Sequence, residues 1–114
     1  MAICFDAIGE KYVTFLAADT AVKGQVCKVS DNDTVGACGD GDVFCGVVSE
    51  CKDGCAAVIM GGYVELPYSG TAPAAGYALL AADENGGIKK VTTGGRSCLV
   101  VHVDTSAQTV GLFL

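Results

Sequence analysis

Short apolar runs separated by glycine-marked polar stretches recur along the whole chain, and the alternation has the short spacing of strands. Tyr12-Val13-Thr14-Phe15 is the first such run. Gln25 to Val29 follows, opened by Lys23-Gly24 and closed by the polar stretch Ser30 to Thr34. Val43 to Ser49 and Ala56 to Met60 come next. Gly61-Gly62 then precedes Tyr63-Val64-Glu65-Leu66, and two glycines between β-prone runs predict a tight hairpin, because glycine takes positive φ without penalty. Pro67 is expected to end that strand, with Ser69 to Ala75 a loop. Tyr77 to Ala81 reads as a short strand or a turn of helix. Asp83-Glu84-Asn85-Gly86-Gly87 is the strongest turn signal and leads into Ile88 to Val91. Cys98 to Asp104 and Thr109 to Leu114 complete the series, joined through Thr105-Ser106-Ala107. The Ala-rich stretches Phe15 to Ala21 and Ala72 to Ala82 are the helical candidates, but Pro73 and Gly76 interrupt the second.

The expected fold is therefore all-β, a compact small barrel or sandwich of about nine short strands with little helix. Residues 1–11 are expected to form an N-terminal arm and residues 12–114 a single β-barrel domain, with no internal repeat and no linker. Several runs carry apolar side chains at consecutive positions, as in Val47-Val48, Ala57-Val58-Ile59-Met60 and Leu99-Val100-Val101. Such strands are apolar on both faces. One face fills a barrel, and the other needs cover from a loop or another subunit.

Composition narrows the function. Hydrophobic residues make up 51% of the 114 positions and charged residues 18%, which supplies enough apolar surface to fold. Apolar runs fall far short of the ~20 residues needed to cross a bilayer as a helix. There is also no basic start with an apolar stretch and cleavage site, so a soluble protein kept inside the cell is expected. The net charge of −6 comes with seven scattered cations, so no basic stripe exists to displace phosphate counterions. Neither a membrane nor nucleic acid is an expected partner.

Seven cysteines are the oddest feature of the composition. An odd number without a secretory signal argues against a disulfide framework. Cys38, Cys45, Cys51 and Cys55 fall close together, but only Cys51 and Cys55 approach the spacing of zinc ligands. Small buried hydrophobes explain them more simply. His102, the single histidine, has no recognisable nucleophile turn to work with. Asp31, Asp33, Asp40 and Asp42 lack the spacing of a calcium loop, and Asp beside Gly is ordinary turn chemistry. Gly39-Asp40-Gly41-Asp42 and Gly94-Gly95-Arg96-Ser97 do not match a phosphate loop. The expectation is a protein with no catalytic residues, no cofactor and no metal.

The order of the motifs adds a resemblance. Ala21-Val22-Lys23-Gly24-Gln25-Val26 is followed by Phe44-Cys45-Gly46-Val47-Val48, and then by Lys52-Asp53-Gly54 ahead of Ala57-Val58-Ile59. Gly62-Tyr63-Val64-Glu65-Leu66-Pro67, Gly76-Tyr77-Ala78-Leu79, Leu99 to Asp104 and Thr109-Val110-Gly111-Leu112 complete the succession. From about Tyr12 to Leu114 it resembles the small capsid decoration, or cement, proteins of tailed bacteriophages and prophages. The resemblance implies a β-barrel without enzymatic activity that is made in the host bacterial cytoplasm. It implies binding to the exterior of the mature capsid, commonly as a homotrimer, where it clamps major capsid subunits. The N-terminal segment of such proteins often reaches to the capsid or a neighbouring protomer, which points to Ile3, Phe5, Ile8 and Tyr12 as contacts. Trimerisation would bury the second apolar strand faces and Phe113. The cysteine content is a departure that cement function does not account for. Two alternatives are another virion β-domain, such as a head-fibre base or tail component, and a small cytosolic barrel binding a metal or ligand through the Cys38–Cys55 region.

Overall fold

A computed structural model describes residues 11–114, and among them there are ten strands and no helix. The strands are β1 (Lys11–Ala17), β2 (Val26–Asp31), β3 (Thr34–Ala37), β4 (Gly46–Lys52), β5 (Cys55–Gly61), β6 (Tyr63–Ser69), β7 (Gly76–Ala82), β8 (Ile88–Lys90), β9 (Arg96–Asp104) and β10 (Thr109–Phe113). They close into two five-stranded barrels, β1-β3-β2-β4-β5 and β10-β6-β8-β7-β9. The all-β, barrel-type architecture is as the sequence pattern indicates. Both helical candidates are strand and loop instead. Phe15 continues β1, and Gly76 to Ala82 is β7, held by pairing to β8 and β9 that outweighs alanine's helical preference.

The two barrels repeat one topology, although no internal repeat is readable along the chain. In each, the first strand pairs parallel with the third and antiparallel with the fifth. The second pairs with the third and fourth, and the fourth with the fifth. Even the irregularity recurs. Against β5 the register of β4 skips from Val48 to Glu50, and against β10 that of β9 skips from Val100 to His102. A single extra residue at the same place in both fourth strands increases local twist, which a small barrel needs to close.

Gly61-Gly62 does not turn a hairpin. β5 pairs with β1 and β4, whereas β6 pairs with β8 and β10, so Gly62, at φ 99°, is the crossing from one barrel into the other. Tight hairpins occur elsewhere: Asp53 and Gly54, both at positive φ (54° and 79°), join β4 to β5 in the pattern favoured by strand twist. Pro67 does not end β6 either. The Tyr68 amide donates to the Gln108 carbonyl at 3.1 Å, so alternate residues of β6 bond across to β10. Pro67 then occupies a position whose missing N–H would point away from β10, towards a side where β8 pairs only from Tyr68 onward.

Consecutive apolar positions have a simple cause in this arrangement. Cys27, Val35, Val48, Ala56 and Val58 fill the N-terminal barrel. Their neighbours Val26 and Val47 point the other way and join Phe44 in a cluster with Val64, Leu66, Leu80, Ile88, Val100 and Leu112 of the C-terminal barrel. The second apolar face of β2 and β4 is thus covered by the sister barrel of the same chain, not by a loop or another subunit. Asp83 closes the β7–β8 turn while 4% exposed. Its carboxylate accepts from the amides of Asn85 and Gly87 and from the Ser69 hydroxyl, so the buried charge is satisfied.

Candidate interaction surface

Alternation along the C-terminal barrel sends one set of side chains inward and leaves the other outside. Val64, Val100 and Leu112 are buried, while Tyr63, Leu99, Phe113 and Tyr77 stand on the outer face. Pairing registers align these four: Tyr63 opposite Phe113, Phe113 opposite Leu99, and Leu99 opposite Tyr77. They form a single apolar row across β6, β10, β9 and β7. Tyr63 and Phe113 meet edge to face with ring centroids 5.6 Å apart. The Tyr63 ring leans over Gly111, where a side chain would collide with its hydroxyl, and that hydroxyl donates to Glu65 at 3.1 Å. Tyr77 at the far end is 81% exposed.

A second apolar surface lies on β1, where Tyr12 is 53% and Leu16 54% exposed. Tyr12 pairs in register with Ile59 on β5, three residues before the Gly62 crossing. Ile59 and Tyr63 both line a groove of about 260 Å³ between the barrels, together with Val47, Val64, Lys23 and Glu65. The apolar row on one barrel and the exposed face of β1 on the other are therefore linked across this groove. Of the residues singled out from the sequence, Tyr12 pairs in register with Ile59 of this groove, and Phe113 meets its Tyr63 edge to face. Ile3, Phe5 and Ile8 lie outside the described residues. Tyr63, Leu99 and Tyr77 were missed because outwardness depends on which strands pair, and the alternation in Tyr63 to Leu66 was the only available sign.

The acidic residues have structural work. Asp42 receives the Lys28 ammonium at 2.6 Å and the Gly39 amide at 2.7 Å, and these hold its carboxyl below the ordinary value. Asp40 pairs with Lys89 of the other barrel at 2.9 Å. The same segment bonds along β7: the Gly41 amide donates to the Ala82 carbonyl, and the Ala82 amide to the Asp42 carbonyl, at 2.8 and 2.9 Å. Phe44 then inserts between the barrels beneath Arg96, whose guanidinium carbon is 5.7 Å from the ring centroid. Gly39 to Phe44 is thus the strap that fastens one barrel to the other. His102 is exposed on β9 opposite Gly111.

Among the described residues no group of three or more His, Cys, Asp or Glu side chains converges as metal ligands would. Cys51 on β4 donates to the Ala21 carbonyl at 3.7 Å, Cys55 is exposed at the start of β5, and Cys38 is half-buried beyond β3. Burial, with Asp42 nearby, pushes the Cys38 thiol up to about 11. Cys45 sits beside Cys27, eighteen residues earlier in sequence and outside the grouping that spacing suggested, with Cys38 within electrostatic reach. No protein-family model matches the chain, and comparison with curated proteins gives no match.

Proposed function

We propose that the protein is a capsid decoration protein of a tailed bacteriophage or prophage. In this reading it binds the exterior of the mature head as a homotrimer, has no catalytic role, and stabilises contacts between major capsid subunits. The observation that carries it is the apolar row Tyr63–Phe113–Leu99–Tyr77, placed on a rigid barrel wall and joined through the inter-barrel groove to Tyr12 on β1. The order of sequence motifs from Tyr12 to Leu114 supports the same reading. An aromatic row on paired strands gives a partner large contact area at little cost in side-chain ordering. Modest affinity per copy suffices, because a trimer engaging a repetitive shell gains by avidity. Residues 1–10, with Ile3, Phe5 and Ile8, extend the contact to the capsid or a neighbouring protomer.

Light scattering on the chromatographed protein, followed by pelleting with expanded capsids, tests the reading. A homotrimer that co-sediments to a saturable stoichiometry supports it. A monomer left in the supernatant overturns it for those capsids. Deleting residues 1–10 tests the arm separately, since undiminished binding by the shortened chain removes that contribution.

A further inference from the structure

The strap that joins the barrels runs directly into Cys45, and the chain around it is arranged unusually. The Cys45 amide donates to the Cys27 carbonyl at 2.8 Å, while the register partner of Cys27 on β4 is Gly46. Two consecutive residues therefore face Cys27 from the opposite strand. This brings the Cys45 and Cys27 side chains to one side of the pair, where Cys45 packs against the small core that Cys27 shares with Val35, Val48, Ala56 and Val58. Backbones bonded in this way hold their Cα atoms within the roughly 4.4–6.8 Å span of a disulfide. The Cys27 sulfur also lies 3.6 Å from the Gly46 carbonyl and is sealed in the barrel interior. Cys45 is only half-buried. Arg96 fixes the other side, donating from Nη1 to the Cys45 carbonyl at 2.8 Å and setting a permanent cation beside the thiol.

We propose that Cys45 and Cys27 form a reversible dithiol–disulfide switch, with Cys45 the reactive thiol, Cys27 the resolving thiol, and small-molecule disulfides the oxidant. The division of labour follows from the environments. A reactive cysteine needs thiolate character and access, and Cys45 has both. The neighbouring Cys27 thiol, aided by Arg96 and opposed by burial, lowers the Cys45 thiol to about 7. Cys27 keeps its proton, pushed up by the neighbouring Cys45 and by burial. Around neutral pH Cys45 is thus the thiol of the pair that ionises, while Cys27 stays protonated.

The steps balance as thiol–disulfide exchange. The Cys45 thiolate attacks one sulfur of the small disulfide, forming a mixed disulfide and expelling one thiolate, which takes a proton from water. Cys27 then gives up its proton and attacks the Cys45 sulfur, forming the Cys27–Cys45 bond and expelling the second thiolate. Two protein thiols are oxidised, and one small disulfide is reduced to two thiols. Buried Cys27 must ionise for the second step, so the mixed disulfide on Cys45 precedes the internal bond. The bond ties the end of the strap to β2 and so joins the inter-barrel fastening covalently to the N-terminal barrel wall.

The test treats the full-length native protein with oxidised glutathione at pH 7, quenches with an alkylating agent, and maps the cysteines by peptide mass spectrometry. A glutathione adduct on Cys45 is expected first, then a cross-linked Cys27–Cys45 peptide that dithiothreitol reverses. In Cys27→Ala the adduct on Cys45 accumulates without a cross-link, and in Cys45→Ser neither product forms. Circular dichroism of each variant confirms that it is folded, and the wild-type adduct rate carries the test if Cys27→Ala is not. That rate should rise through a midpoint near pH 7. Reaction confined to exposed Cys55, a cross-link from Cys45 to any other cysteine, or modification only after unfolding in urea overturns the proposal.

Discussion

The two barrels share one strand topology and fill it in opposite ways. The N-terminal barrel is packed with Cys27, Val35, Val48, Ala56 and Val58, whereas the C-terminal barrel holds Leu66, Tyr68, Leu80, Ile88 and Leu112. The first interior is built from small side chains and sits near thiols; the second is aliphatic and large. Because buried apolar area sets the driving force, the N-terminal barrel has less of its own and leans on its sister through Val26, Phe44 and Val47. One fold thus supports a self-sufficient half and a dependent half. Chemistry gathers in the dependent half and apolar contact surface on the other.

The sharpest way to break this dependence is at the strap. Phe44→Ala should cost about 3–5 kcal/mol, as for other buried aromatics, and split urea unfolding into two transitions with the N-terminal barrel melting first. Two coincident probes, one reporting from each barrel, would show the split. Leu112→Ala should cost about 2–5 kcal/mol yet keep one transition, since the half that supports the other is the one weakened. Gly46→Ala acts within the dependent half. A methyl there collides with the Ile59 carbonyl and lies 2.8 Å from Val58 Cγ1, so overpacking should cost about 1–3 kcal/mol by denaturant titration. Tyr77→Ser should leave stability within about 0.5 kcal/mol, as exposed substitutions do, while sharply weakening capsid co-sedimentation. The smallest effect is acid dependence. Asp42 is held below its ordinary 3.8, chiefly by Lys28, so the fold favours the charged carboxylate. That contribution is present above the ordinary value and lost as pH falls through the lower folded value. Asp42→Asn should remove this part of the acid sensitivity, and the change in urea midpoint should be slight because both side chains are solvated.

Most strands were legible, because β-branched runs between glycines mark pleated segments whatever they pair with, but the four-residue β3 (Thr34–Ala37), with one β-branched pair after a polar turn, was not. Pairing was not. Gly61-Gly62 carries the chemistry of a hairpin but serves as a crossing, since nothing local says whether the next strand returns to the last one. The repeat left a faint trace in Thr20-Ala21 before Gly24 and Thr71-Ala72 before Gly76, both glycines at positive φ (85° and 110°). It fades elsewhere because only backbone-demanding positions are shared, while Lys52–Cys55 and Asp104–Thr109 close equivalent hairpins with loops of different length. Of the proposed surface, Tyr12 and Phe113 could be named from the sequence as apolar residues at the two ends of the barrel region. The row in which Phe113 stands needed registers. The Cys27–Cys45 pair was hidden for the same reason: spacing groups cysteines near in sequence, whereas β2 and β4 join residues eighteen apart.

Closure of both sheets has a consequence for life at high density. An open sheet offers a row of unpaired amides and carbonyls to which any extended segment can add, and many copies in one place raise that hazard. Here the first and last strands of each barrel are already hydrogen-bonded to each other, β1 to β5 and β6 to β10. Among the described residues closure confines unpaired backbone to short stretches, such as the start of β6 ahead of Tyr68, so crowded copies offer one another little template for strand-to-strand growth.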